Sequence, residues 1–257
     1  MNKAQFLFFS LVWLIYSCES KTELTTPVSE RLGDPKSIAI IDQAIEKHGG
    51  DRYHKHRIEF DFRDRHYISV RDAGDYQYER IFIDSTGQEI RDVLTNNSFI
   101  RYTNGAKTDI TEERAKAYSN SVNSVIYFAL LPYFLQDPAV RSSYVGSTTI
   151  ENKPYDKVKI TFGKDGGGKD FEDEFLYWFH QKEHTLDFLA YNYQTDGGGA
   201  RFRRAINKRD IGGILFADYI NYKPTEETMN ILMFDSLYSN ALMDSLSSII
   251  SANIVVK

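Results

Sequence analysis

Cysteine is nearly missing from this chain: among 257 residues there is one, Cys18, so no intramolecular disulfide can form. Long apolar runs are missing from its body as well. The most apolar stretch there, Ser124–Leu135 (SVIYFALLPYFL), is twelve residues long. A helix that spans a bilayer needs roughly 20. The stretch therefore has to be covered inside a core or half-cover a cavity, as a short helix stopped or kinked at Pro132. Excess positive charge is also lacking: 31 Lys and Arg stand against 36 Asp and Glu, a formal charge of −5. Without a basic patch no nucleic-acid partner is expected. There is no G-x-S-x-G elbow, Walker A loop or Rossmann glycine pattern, and no cofactor is expected. Paired carboxylates leave no comparable mark, so carboxylate chemistry stays open on the residues alone.

What is present is aromatic. Phe, Trp and Tyr make up 14% of the chain, with 17 Tyr and 17 Phe, a composition that suits strands better than helices. A hydrophobic share of 42% and a charged share of 26% belong to an ordinary globular protein. The N-terminus is different. Lys3 precedes the apolar Phe6–Ile15, and Ile15-Tyr16-Ser17-Cys18 has the layout of a bacterial lipobox. An aliphatic residue stands three before the cysteine and a small one directly before it, although Tyr16 departs from the usual small residue. The expectation is a signal peptide over residues 1–17 and lipidation of Cys18, with acyl chains that hold the protein at a membrane surface. Loss of Lys3 takes the formal charge from −5 to −6. The polar residues 18–33 are expected to be a flexible tether. Residues 34–257 show no composition break and are expected to form one domain.

The domain begins with a helix. Asp34 is its cap, Pro35 lies in the first turn, Ile38, Ile41, Ala44 and Ile45 share a face, and Gly49-Gly50 ends it. Alternating segments follow at residues 58–63, 67–70, 76–83, 88–94 and 98–103; in the third, Tyr76, Tyr78, Arg80 and Phe82 share a face. Thr111-Glu112-Glu113 opens a helix that runs through Tyr118, and the apolar helix comes next. A second set of strands starts near Tyr144, with a tight turn at Asn152-Lys153-Pro154, an aromatic strand at Phe175–Phe179, and strands at 186–193, 201–207 and 214–222. A helical turn near Asp235–Ala241 precedes a closing strand, Leu246–Val256. The fold class is α+β and β-rich: a curved antiparallel sheet forms an incomplete barrel, and the N-terminal and central helices cover its open side.

Three clusters invite chemistry. His180-Gln181-Lys182-Glu183-His184 matches the inverted zinc-peptidase signature, which needs both imidazoles on one helical face. Its flanks are strand-like, so it reads as a polar hairpin turn, and no metal site is expected. His54 and His56 are taken as one face of an exposed strand edge. Asp165, Asp170, Glu172, Asp173 and Glu174 lie beside Gly166–Gly168, and Arg201, Arg203 and Arg204 follow Gly197–Gly199. A calcium loop and charge pairing across neighbouring strands are the two readings, and the pairing is favoured.

In Asn123–Tyr133, Lys157–Phe162, Asp165–Gly168 with Tyr177-Trp178, and Gly197–Arg203, the chain resembles an uncharacterised family of Bacteroidota lipoproteins without an assigned activity. The order of elements is in turn similar to the LolA/LolB-like lipoprotein-carrier fold. That likeness implies an apolar cavity under the helices, and Tyr127, Phe128, Leu131 and Trp178 are then expected to line it, with Ala129 close by. The implied protein is a non-enzymatic lipoprotein of the cell envelope that binds a lipid or another apolar ligand. It would sit at the outer membrane, facing the periplasm or the cell surface. Two alternatives remain: an interaction lipoprotein with a filled core that acts through its acidic and arginine-rich loops, and a zinc hydrolase built on His180–His184.

Overall fold

In the computed structural model, residues 31–72, 74–163, 173–194 and 197–257 are described. The expected signal peptide, Cys18 and the tether up to residue 30 lie outside them, as do the acidic residues Asp165, Asp170 and Glu172. The end of the expected tether is already part of the fold. Strand β1 (Leu32–Gly33) pairs in parallel with a later strand, and Arg31 forms an ion pair with Asp42.

Helix α1 (Pro35–His48) starts as its capping residue dictates. Asp34 accepts the amides of Lys36 (3.1 Å) and Ser37 (3.0 Å) on one oxygen and that of Tyr144 (2.6 Å) on the other. These amides, Ser37 and Tyr144 first, hold its carboxyl below the usual carboxylate range. The helix ends at Gly49, whose φ of 141° a side chain would resist. A short helix α2 (Arg52–Lys55) comes next and corrects the expected strand at His54 and His56. His54 packs its ring edge-on to Tyr133 instead.

Six strands then form a meander: β2 (Ile58–Phe62), β3 (Arg65–Asp72), β4 (Asp75–Ile83), β5 (Glu89–Thr95), β6 (Phe99–Thr103) and the short β7 (Ala106–Thr108). Helix α3 (Glu112–Ala129) is capped by Thr111 and is one element, where two successive helices were expected. No glycine or proline interrupts residues 112–129, so the Ser/Asn-rich middle stays helical, with the Ser119 hydroxyl donated back to the Ala115 carbonyl (2.8 Å). The chain leaves the helix at Leu130 and crosses a cis Leu131–Pro132 bond. It then makes a 3₁₀ turn over Tyr133–Gln136.

The second set of strands is β8 (Val140–Ile150), β9 (Lys153–Phe162), β10 (Phe175–His180), β11 (Leu186–Tyr193), β12 (Gly199–Ile211) and β13 (Ile214–Pro224). The turn between β8 and β9 is Glu151-Asn152, one residue earlier than expected, with φ of 51° and 61° as a two-residue hairpin turn prefers. A 3₁₀ turn (Ile231–Met233) and α4 (Phe234–Ser239) lead to β14 (Met243–Ile249) and β15 (Ser251–Val256).

The strands form two open sheets, neither of them closed. One has the order β1-β8-β9-β10-β11-β12-β13-β14, and the other β15-β2-β3-β4-β5-β6-β7. The expected closing strand is thus one extended segment broken at Ile250. Its first half edges one sheet and its second half edges the other. At the break, Asp218 accepts the Ser251 amide (3.0 Å) and a guanidinium N–H of Arg209 (3.1 Å), and Arg209 donates to the Ser251 carbonyl (2.5 Å). Side chains take over the ladder where the sheets part. Gly212, in the β12–β13 turn, has a φ of 61°, and a Cβ there would stand 2.7 Å from Val256 of β15.

Three apolar clusters fill this frame. The first joins α1 to the inner face of the larger sheet through Ile41, Ala44, Ile45, Val158, Ile160, Tyr177 and Leu189. The second packs Val122 and Ile126 of α3 and the 3₁₀ residues Tyr133 and Phe134 on Phe60, Tyr67 and Tyr78 of the smaller sheet. The third lies on the outer face of the larger sheet, where Phe234 and Ile231 cover Trp178, Phe188 and Phe202. Among the described residues no helix is long and apolar enough to cross a membrane.

His48 ties α1 to the larger sheet. Its Nδ1–H donates to the Leu215 carbonyl (3.2 Å), and its Nε2 accepts the Leu186 amide (3.1 Å), so the ring is neutral. Burial pushes its pKa down from 6.5 to about 4. Between those values the unfolded chain binds the proton and the folded chain does not, so stability falls as the pH drops from 6.5 to 4. The loss attributable to this group is about 3 kcal/mol. Urea unfolding at pH 7 and pH 5 should show about 2 kcal/mol of that decline in the wild type and a clearly smaller one in His48→Asn; equal declines would contradict it.

Candidate functional site

Two curved sheets that share one bent strand cannot bring all their inner side chains together. Where α3 crosses the seam, a cavity of about 440 Å³ remains. Its walls come from both sheets and the helix. Phe60 and Phe62 of β2, with Arg63 beyond them, form one side. Phe175, Tyr191, Tyr193 and Arg203 of β10–β12, with Asp173 before them, form the other. Ala217, Tyr219 and Asn221 alternate along β13, and Ser247, Ile249 and Ser251 come from the bent strand. Ser124, Val125, Phe128 and Ala129 of α3 cover it. The Phe128 ring lies 5.5 Å from that of Tyr191 and 6.5 Å from that of Phe175. Burial pushes the Tyr219 hydroxyl up to about 12, so the phenol is neutral.

The four residues expected in the lining separate. Phe128 lines the cavity. Tyr127, its neighbour on the helix, turns into the core, stacks on Phe134 at 5.3 Å and meets the Tyr177 hydroxyl at 3.3 Å. Leu131, past the end of α3, is buried in the first apolar cluster. Trp178 is fully buried on the opposite face of β10, edge-on to Phe202 at 5.4 Å. Every residue of β10 is buried because both of its faces are covered, so hydrophobicity alone could not distinguish them. Strict alternation decides: Phe175, Tyr177 and Phe179 point inward, while Leu176 and Trp178 point outward.

The polar members of the site were missed. Arg203 and Asn221 stand directly opposite each other on β12 and β13, and both face the cavity. Arg203 was expected on a strand with its charge paired across the sheet, or, in the interaction alternative, facing a partner together with Arg201. Alternation along residues 199–211 was the available signal, since it places Arg203 on the face of Ala205, against the first apolar cluster. Of the groups expected to pair across the sheet, Arg204 pairs with Glu151 (3.1 Å) and Glu174 with Lys159, while Asp165, Asp170 and Glu172 lie outside the described residues.

His180 to His184 is a hairpin turn, as its flanks suggested. His180 ends β10, and its Nδ1 accepts the amides of Lys182 (3.2 Å) and Glu183 (3.1 Å), while His184 has a φ of 55°. Among the described residues no three metal-ligating side chains cluster. Protein incubated with zinc and desalted should carry well under one zinc per chain by elemental analysis; a stoichiometric ion lost on mutation of His184 would overturn that.

The chain belongs to a family of unknown function, DUF6503, whose model matches residues 3–250. No curated protein matches it. Among solved structures it is similar to a DUF1329 family protein from Desulfovibrio piger, at 12% identity and a TM-score of 0.48, over 85% of this chain and 92% of that one. It is also similar to a LolA superfamily protein from Nitrosomonas europaea, at 9% identity and a TM-score of 0.45, over 86% of this chain and 93% of that one.

Proposed function

We propose that this is a non-enzymatic lipoprotein of the cell envelope that binds a lipid or another apolar ligand in the cavity under α3. The cavity carries the reading. About 440 Å³ falls within the usual range for a small-molecule site, and its walls combine aromatic and aliphatic side chains with a substantial set of polar groups, as an amphipathic ligand needs. A filled core packs to crystal density with voids hardly larger than a water, so the cavity argues against the filled-core alternative.

Ala129 provides the test. It is half-buried on α3 and borders the cavity, so an indole at this position occupies the space. Ala129→Trp should lose at least about tenfold in affinity for the neutral fluorescent probe N-phenyl-1-naphthylamine, while overpacking costs only about 1–3 kcal/mol of stability. A folded Ala129→Trp protein that binds the probe as tightly as wild type would refute the placement.

Anchoring through Cys18 is the second part of the proposal and rests on the Ile15–Cys18 pattern and the lone cysteine. In a bacterial host, Cys18→Ala should abolish incorporation of a labelled fatty acid and move the protein out of the membrane fraction. Continued labelling of Cys18→Ala would exclude this anchor.

A further inference from the structure

The cavity is not uniformly apolar, and its polar groups are placed unusually. Among the described residues its charged lining consists of two guanidiniums, Arg63 and Arg203, and one carboxylate, Asp173. Arg63 lies in the β2–β3 turn and is exposed, while Arg203 lies deeper. The Arg203 guanidinium carbon stands 4.2 Å from the centre of the Phe128 ring and 5.1 Å from that of Tyr191. Its Nη2 donates to the Tyr191 hydroxyl at 2.9 Å. Its Nε is buried with no hydrogen-bond partner, and so is Oδ1 of Asn221, its direct cross-strand neighbour.

Ring contacts would account for an arginine stem packed in a wall. They do not account for a donor and an acceptor on two cavity-lining residues in paired positions that both stay unsatisfied, since native interiors rarely leave such atoms unpaired. Arginine keeps its charge under all ordinary conditions, and its planar fork matches a carboxylate or a phosphate. The Asn221 amide offers an acceptor beside it, and with the amide turned, two donors.

We infer that the ligand is an anionic amphiphile whose carboxylate or phosphate head meets Arg203 beside Asn221, with its chain running between Phe128, Phe175 and Phe60. This rests on the ligand-binding reading above and adds the chemistry of the head. Carboxylate and phosphate share the charge and the acceptor oxygens, and they would come from a free fatty acid and a phospholipid, respectively.

The test uses the full chain loaded with N-phenyl-1-naphthylamine. The probe is displaced by hexadecanoate, hexadecyl phosphate or hexadecanol, each below its aggregation limit. At least one of the two anions should displace the probe at about tenfold to hundredfold lower concentration than hexadecanol, the effect of one charge-assisted hydrogen bond. Arg203→Met keeps the apolar stem and should remove that preference, read as the ratio of anion to hexadecanol displacement within the variant. Preference for hexadecanoate points to a fatty acid and preference for hexadecyl phosphate to a phospholipid, and either supports the inference. If Arg203→Met fails to give a cooperative thermal melt, the wild-type ratio of anion to alcohol still decides. Equal displacement by all three amphiphiles overturns the head-group assignment and leaves the cavity reading intact. A wild-type protein that binds neither the probe nor any amphiphile overturns both.

Discussion

The architecture depends on one strand that serves two sheets. Residues 243–256 run extended along β13, break at Ile250 and continue along β2, so each sheet takes its edge from half of the same segment. Sheets joined in this way must splay beyond the junction, because strand twist accumulates in each of them separately. The junction keeps its geometry through Asp218, which is buried and bonded to Asn207, Arg209 and the Ser251 amide. A backbone amide and carbonyl that lose their strand partners at the break are thereby satisfied by side chains. The splay leaves inner faces to be covered, and α1 and α3 cover them incompletely.

How α3 docks explains why the cover is partial. Toward the smaller sheet it meets a row of charges: Arg80, Asp92 and Arg101 lie directly opposite one another on β4, β5 and β6. Asp92 is fully buried and accepts Arg80 Nε at 2.9 Å and Arg101 Nε at 2.7 Å, while Arg80 donates to Ser121 of the helix at 2.9 Å and Arg101 lies 3.7 Å over the Tyr118 ring. Buried charges bring little net stability, because desolvation offsets their attraction, but they accept few alternative positions. They hold the middle of α3 in place, at Tyr118 and Ser121. Its C-terminal half carries the apolar residues across the seam and ends at Ala129, which leaves Phe128 and Ala129 over the cavity.

Much of this was legible in the residues. The Asp34 cap, the Gly49-Gly50 stop, most of the strands and the incomplete barrel follow from local chemistry and from alternation. The failures share a cause. The central helices were separated because polarity changes near Ser124, although helices end at breakers and caps rather than at changes of polarity. His54 and His56 were placed on a strand because a four-residue helix leaves no periodicity to detect. Trp178 was assigned to the lining because β10 is apolar on both faces, and the cover on its outer face comes from α4, some 55 residues later in the chain. Arg203 looked like a surface charge because alternation puts it on the face of Ala205 without saying that this face is interior, which only pairing with distant strands decides.

The sequence by itself determined the kinds of element, their order, the caps and turns, and the lipobox-like N-terminus, because each depends on residues a few positions apart. Only the tertiary structure decided which face of each strand became interior, that residues 243–256 would be divided between two sheets, and that Phe128, Arg203 and Asn221 would meet around one cavity. These outcomes depend on strand register and sheet twist, which accumulate over many residues and are fixed by contacts between segments far apart in the chain.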